Sequence, residues 1–123
     1  MPSVLVVDDQ DQVRQLIRET LELAGYEVDE ACTGREGLER YRTKAADLVL
    51  MDILMPDQDG LEGIMTLRRE FPDSRVIAMT GGSQTIGIVN VLDVAKMLGA
   101  RQTLHKPFEL KVLLDAVASE IVN

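Results

Sequence analysis

The chain has 123 residues, 46% of them apolar, and a formal net charge of −8 at pH 7. This length fits one domain with one core, and the apolar content is too high for a disordered segment. The negative charge argues against nucleic-acid binding, because a phosphate backbone would repel the protein surface.

The sequence also restricts where the protein is expected to work. Cys32 is the only cysteine, so we expect no internal disulfide and a reducing compartment. There is neither a charged-then-apolar leader nor an apolar run long enough to cross a bilayer. We therefore expect a cytoplasmic protein that does not contact membranes.

Predicted strands and helices alternate along the chain. Short apolar or β-branched runs predict the strands, and apolar positions at helical spacing predict the helices. The predicted strands cover 3–7, 26–31, 48–52, 75–79 and 102–105. The predicted helices cover about 13–24, 34–43, 61–70, 88–98 and 109–122. This alternation implies a parallel sheet with helices on both faces, although it leaves the strand order open.

Three of the predicted helices have informative details. In the first, an apolar face includes Leu16 and the opposite, charged face includes Arg14. Thr33 and Glu36 have the spacing of a capping box, which predicts the start of the second helix. The fourth helix has more apolar residues than one buried face needs, so its surplus either packs under the preceding loop or forms an exposed contact surface.

Polar residues end four of the predicted strands. They are Asp8 and Asp9, Asp52, Thr80 and Lys106. In a parallel sheet the carboxyl ends of the strands lie at one edge, so we expect these residues to converge there. Three carboxylates at one place repel one another and require a cation, and their hard oxygen ligands suit Mg²⁺. A carboxylate beside a metal, a lysine and a hydroxyl is suited to phosphoryl transfer.

These motifs resemble those of response-regulator receiver domains of two-component systems. The resemblance covers nearly the whole chain, and we expect residues 1–123 to be one such domain. It rests on Asp8-Asp9, on Asp52 followed by Met55-Pro56 and Asp59-Gly60, on Thr80, and on Lys106-Pro107-Phe108. It implies an α/β, flavodoxin-like (βα)5 fold with a parallel five-stranded sheet of order 2-1-3-4-5.

The resemblance also implies roles for individual residues. Asp52 would accept a phosphoryl group from a histidine kinase or a histidine phosphotransfer protein. Asp9, Asp52 and the backbone carbonyl of Leu54 would bind Mg²⁺, and Asp8 would act mainly through water. Lys106 would contact the phosphoryl group, and Thr80 would move inward to bond it. Such a domain is not an enzyme beyond its own phosphorylation and slow dephosphorylation.

The same resemblance suggests how the signal is read. The fourth helix, the fifth strand and the last helix would contact a downstream effector or output domain, or a second copy of the chain in a homodimer. The Lys106–Pro107 bond is expected to be cis.

Three features depart from the family's usual pattern. Thr103 stands where many receivers have a switching aromatic residue, and the region from Gly81 to Gly87 is longer than usual. Leu54 and Gly82 occupy the positions that often tune loss of the phosphoryl group, and neither can orient an attacking water. This predicts a long-lived phosphorylated form.

Two other functions fit the same predicted sheet. A flavin- or nucleotide-binding protein would need a phosphate-binding loop after the first strand, where the acidic segment from Asp8 to Asp11 stands. An aspartyl-phosphate phosphohydrolase commonly has a second aspartate at the position of Leu54.

His105, the only histidine, precedes Lys106 in a strand and should point to the opposite face, which favours a surface or packing role.

Overall fold

The computed structural model describes residues 1–53, 59–81, 85–86 and 89–121, with backbone only for 59, 85–86 and 89–92. Its elements in chain order are β1 Ser3–Val7, α1 Asp11–Leu23, β2 Glu27–Ala31, α2 Gly34–Thr43, β3 Leu48–Asp52, α3 Asp59–Glu70, β4 Val76–Thr80, β5 Thr85–Ile86, β6 Val89–Asn90, α4 Val91–Met97, β7 Gln102–His105 and α5 Leu110–Glu120.

Five strands form a parallel sheet in the order β2-β1-β3-β4-β7. Because β7 is the fifth strand of this sheet, the arrangement is the 2-1-3-4-5 order that the family resemblance implies, and the predicted fold is confirmed. β1, β3 and β4 lie inside the sheet, and nearly all their residues are buried. This explains why their sequences are continuous apolar runs rather than alternating ones.

The sheet separates two apolar clusters. One contains Val6, Leu50 and Leu104 and packs against α1 and α5. The other contains Val7 and Ala78 and packs against α2, α3 and α4. Because side chains alternate between the faces of a strand, the cluster of each strand residue fixes the direction of its neighbours. This alternation extends to the polar residues at the strand ends.

The stretch before α4 differs from the prediction. We expected a helix from Ile88, but Val89 and Asn90 form β6, which pairs antiparallel with β5 in a separate two-stranded sheet, and α4 begins only at Val91. β-branched residues favour strands, and a short apolar run does not distinguish strand from helix by its spacing. The predicted end holds, because Gly99 with φ of +116° follows the helix.

Several surface details also differ. Leu16, on the predicted apolar face of the first helix, is 51% exposed, and Leu110, an apolar residue at the start of α5, is 42% exposed. Cys32 is exposed as well. The start of α2 is as predicted, because the Thr33 hydroxyl accepts a hydrogen bond from the Glu36 amide. In the described part of the chain, every helix is too short or too polar to traverse a bilayer.

Candidate functional site

Three strand ends bring ionisable side chains to one place. Asp8 follows β1, Asp52 ends β3 and Lys106 follows β7. Alternation places all three on the side of the sheet that α1 and α5 cover. Asp8 and Asp52 are almost completely buried, whereas Asp9 is exposed. The predicted convergence of Asp8, Asp9, Asp52 and Lys106 is therefore what the structure shows.

The Lys106 ammonium links the two buried carboxylates. Its Nζ lies 2.5 Å from Asp8 Oδ2 and 3.2 Å from Asp52 Oδ2. The same nitrogen lies 3.5 Å from Gln10 Oε1. A buried carboxylate is tolerated only where a cation and hydrogen bonds replace its water, and Lys106 supplies both for Asp8 and Asp52.

Asp8 is held at its side chain and at its backbone. Its Oδ1 accepts a hydrogen bond of 2.9 Å from the Gln10 amide, and its own amide donates to the Ala31 carbonyl at 3.1 Å. The guanidinium of Arg14 donates to the Asp8 carbonyl at 2.7 Å. The loop between β1 and α1 is therefore fixed at several points next to the carboxylates.

The carboxylates form a cluster that fits a divalent cation. One oxygen each from Asp8, Asp9 and Asp52 lies within 4.8 Å of the others. Among the described residues, the cluster sets three carboxylates against the one Lys106 ammonium, an excess of two carboxylates. Carboxylate oxygens are hard ligands, so the donor set suits Mg²⁺ rather than zinc. Leu54, whose carbonyl was predicted to complete the set, lies outside the described residues.

Thr80 lies next to this cluster but faces the other way. It ends β4 and is fully buried, and its hydroxyl donates to the Gly81 carbonyl at 3.4 Å. Alternation with Ala78 assigns its side chain to the face covered by α3 and α4. Its carbonyl accepts a 2.6 Å hydrogen bond from the Lys106 amide, so backbone contact joins Thr80 to the lysine. His105 is exposed, in agreement with the surface role predicted for it.

Sequence reasoning missed two residues of this region, Gln10 and Arg14. Arg14 was assigned to the charged outer face of α1, but its side chain is only 12% exposed and reaches back to the loop before the helix. Helical side chains lean toward the helix N-terminus, and this geometry could have indicated the contact.

An ion-pair network lies behind Arg14. Glu30 on β2 accepts hydrogen bonds from Arg14 and, at very short range, from Arg18. Burial acts to raise the pKa of the Glu30 carboxyl, but the hydrogen bonds from Arg18 and Arg14 outweigh it and leave the pKa below its usual value. Glu30 is therefore a permanent anion at neutral pH, and it anchors both arginines to the sheet.

Comparisons with known proteins identify the family. The sequence profile of the response regulator receiver domain matches residues 4–118. The chain is 31% identical over 115 residues to the chemotaxis protein CheY of Thermotoga maritima, covering 93% of this chain and 92% of that protein. It is 40% identical over 114 residues to the transcriptional regulatory protein DltR of Streptococcus agalactiae, covering 93% of this chain but only 49% of DltR.

A solved structure agrees with these sequence relatives. In the CheX-CheY-BeF3-Mg+2 complex from Borrelia burgdorferi, one chain has a TM-score of 0.86 and 25% identity to this protein, covering 99% of this chain and 90% of that one. The chain belongs to the response regulator receiver domain family. It is thus a signalling domain of the two-component type, with a CheY-like fold.

Proposed function

We propose that residues 1–123 form one receiver domain in which Asp52 accepts a phosphoryl group from a phosphohistidine, with Mg²⁺ bound at the aspartate cluster. The observation that carries this proposal is the buried Asp52 carboxylate, which lies 3.2 Å from the Lys106 ammonium and beside two further carboxylates. A buried anion next to a cation and a metal-binding cluster is the arrangement that phosphoryl transfer requires.

The proposed transfer assigns a task to each group. An oxygen of Asp52 attacks the phosphorus, the P–N bond of the donor phosphohistidine breaks, and the departing imidazole keeps the electron pair and takes a proton. Asp9 and Asp52 would hold Mg²⁺, with Asp8 acting through water, and the bound ion would supply positive charge for the phosphoryl oxygens. Lys106, which follows β7 at the same edge of the sheet, contacts the same oxygens and leaves Asp8 in part to do so.

A cavity of about 380 Å³ beside Lys106 supports the approach of a protein donor. It lies between α1 and the start of α5, and its mostly apolar wall includes Leu16, Phe108 and Leu110. The exposed leucines, unexpected from the sequence, are part of this wall. A histidine kinase or histidine phosphotransfer protein that packs there brings its phosphohistidine next to Asp52.

The proposed output runs through the other face of the sheet. The added phosphoryl charge draws the Thr80 hydroxyl away from the Gly81 carbonyl, and the following segment and α4 adjust. The resulting change at α4, β7 and α5 is read by an effector protein, an output domain or a second copy of the chain. The relative DltR is about twice as long as this chain, which is consistent with an output domain in related regulators.

The alternatives are less well supported. A flavin or nucleotide phosphate would meet the carboxylates of Asp8 and Asp9 at the end of β1, with Asp11 beginning α1 directly behind them. This loop repels phosphate unless a cation intervenes. Aspartyl-phosphate phosphohydrolases commonly have a second aspartate two residues after the nucleophile, where this sequence has Leu54.

Incubation with a small acyl-phosphate donor and Mg²⁺, followed by intact-mass measurement, tests the proposal. We expect the wild type to gain one phosphoryl group, and a chelator or the substitution Asp52→Asn to prevent this gain. Asp115→Asn, which alters an exposed carboxylate on α5, is the matched control and should be phosphorylated normally. Phosphorylation that survives Asp52→Asn would refute the assignment of Asp52.

A further inference from the structure

We propose that Arg14 is a positioning residue for the two aspartates that follow β1, and that it sets their affinity for Mg²⁺ by holding the peptide group between them. The inference rests on the proposed function, because it concerns the metal site described there. Arg14 touches none of the reacting groups directly, so it acts through the loop.

The geometry of Arg14 joins three elements at once. Nη1 donates to the Asp8 carbonyl at 2.7 Å, Nη2 donates to Asp11 Oδ1 at 2.6 Å, and Nε donates to Glu30 Oε1 at 3.1 Å. These acceptors belong to the loop after β1, the first residue of α1, and β2. A guanidinium is a rigid, planar donor, so three such bonds leave it little freedom.

The bond to the Asp8 carbonyl has a direct effect on Asp9. The carbonyl of Asp8 and the amide of Asp9 belong to one planar peptide group. Fixing the direction of that carbonyl therefore fixes the plane from which the Cα and the side chain of Asp9 project. Asp8 itself is already restrained at its carboxylate by Gln10 and Lys106, whereas Asp9 is exposed. Arg14 thus restrains the more exposed of the two aspartates.

The acidic partners of Arg14 explain how it is held in place. Glu30 binds Nε and Asp11 binds Nη2, and these two contacts direct Nη1 toward the loop. Arg18 binds the same Glu30 from one turn further along α1, and its ion pairs are with Glu30 and Glu22 rather than with the loop. Arg18 therefore offers a natural comparison with the same charge, the same helix and the same anionic partner.

The test compares Arg14→Ala, Arg14→Lys and Arg18→Ala by calorimetric titration with Mg²⁺ alone. Groups that orient metal ligands typically contribute about tenfold or more to metal affinity. We expect Arg14→Ala to weaken Mg²⁺ binding about tenfold, Arg14→Lys to recover part of the loss, and Arg18→Ala to bind as the wild type does. Equal losses of Mg²⁺ affinity in Arg14→Ala and Arg18→Ala would show that the effect comes from removing any positive charge, and would overturn the proposal.

A second measurement reports on the loop without metal. The amide of Asp9 and the carbonyl carbon of Asp8 should change their NMR chemical shifts in metal-free Arg14→Ala, while those in Arg18→Ala should not. Unchanged shifts in a folded Arg14→Ala protein would contradict the proposal even if Mg²⁺ affinity fell. If Arg14→Ala does not fold, Arg14→Lys carries the same test, because it keeps the charge but loses at least one of the three bonds.

Failure of the proposed function gives a different result. A wild-type chain that shows no saturable Mg²⁺ binding contradicts the metal site itself, and this inference falls with it. A wild-type chain that binds Mg²⁺ together with an Arg14→Ala variant that binds it equally well contradicts the role of Arg14 only.

Discussion

Lys106 Nζ lies 2.5 Å from Asp8 Oδ2, although 98 positions separate the two residues in the chain. The contact spans the sheet edge from β1 to β7 and passes over the end of β3, where Asp52 shares the same ammonium. One cation thus serves two buried carboxylates, and the third, on Asp9, adds charge that Lys106 cannot offset.

We expect Asp9→Asn to stabilise the metal-free protein and to weaken its binding of Mg²⁺. Removing one of three mutually repelling carboxylates relieves about 1 kcal/mol, a small figure because Asp9 is exposed to solvent. Urea denaturation without metal measures the gain in free energy of unfolding. In Mg²⁺ the order should reverse, and the wild type should be more stable than Asp9→Asn. Asp115→Asn, which changes an exposed carboxylate on α5, should alter neither result by more than about 0.5 kcal/mol. A destabilised, metal-free Asp9→Asn would mean that the cluster is not under charge repulsion.

Gly60→Ala should destabilise the fold far more than Gly63→Ala, although both lie in α3. A Cβ at position 60 would lie 2.1 Å from the Asp52 carbonyl oxygen and 2.6 Å from the Ile53 Cα, and relieving this contact requires a costly shift of backbone atoms. At position 63 the nearest atom is the flexible Met51 Cε at 3.1 Å. We expect the free energy of unfolding to fall by about 3 kcal/mol or more in Gly60→Ala and by about 1 kcal/mol or less in Gly63→Ala.

Urea denaturation of the two glycine variants gives the comparison. Equal losses would show that the contact between α3 and the end of β3 is not tight. A folded Gly60→Ala should also be phosphorylated more slowly, since the backbone of Asp52 is the group that must shift.

Glu120, at the end of α5, should make stability depend on pH. Burial acts to raise the pKa of its carboxyl, but hydrogen bonds from Gln102 and Arg101 outweigh burial and lower the pKa from its ordinary 4.5. Because the pKa is lower in the folded protein, the stabilisation is complete above the ordinary value and is lost as the pH falls through the lowered one. Glu120→Gln should therefore be less stable than wild type near neutral pH.

Denaturation of both proteins at a series of pH values tests the direction of this pH dependence. The difference in free energy of unfolding between wild type and Glu120→Gln should narrow as the pH falls below about 4.5. The same narrowing in Glu109→Gln, where the carboxylate precedes α5 and is exposed, would show that general acid destabilisation rather than Glu120 is responsible.

The phosphorylated protein should be long-lived. Leu54 has an apolar side chain and Gly82 has no side chain, so neither position offers a group that orients a water molecule for attack on the acyl phosphate. We expect decay of the isolated phosphoprotein over minutes or longer and faster decay in Leu54→Asn, whose amide can hold a water. Loss of the phosphoryl mass followed over time gives both rates. A wild-type lifetime of a few seconds would contradict this prediction.

The convergence of the site was predictable because it follows from topology. Once the strands are parallel, their carboxyl ends share an edge, so Asp52 and Lys106 must lie at the same edge of the sheet. The strand order was not predictable from alternation, since many orders have the same sequence pattern, and it came from the family resemblance. The alternation of side chains along β1 determines the remaining detail, namely that Asp8 is buried while Asp9 is exposed.

Arg14 and the start of α4 show where the sequence pattern was insufficient. The angular position of Arg14 on α1 indicated solvent, but a long side chain that leans toward the helix N-terminus reaches a carbonyl outside the helix. Before α4, helical spacing and strand-forming composition overlapped, and pairing between β5 and β6 prevailed over helix. Both errors arise from contacts that the spacing of apolar residues does not record, namely a long polar side chain reaching a backbone carbonyl and a short antiparallel pairing.

The alternation of side chains across the sheet has a consequence for how this protein can change. Asp8, Asp52 and Lys106 share the face of α1 and α5, while Thr80 belongs to the face of α3 and α4. Under the proposed function, phosphoryl acceptance and the response to it therefore use side chains on opposite faces of the sheet. Substitutions beneath α1 and α5 should then change the choice of phosphodonor and substitutions beneath α4 the choice of effector, with Thr80 as the residue that must remain compatible with both sets of changes.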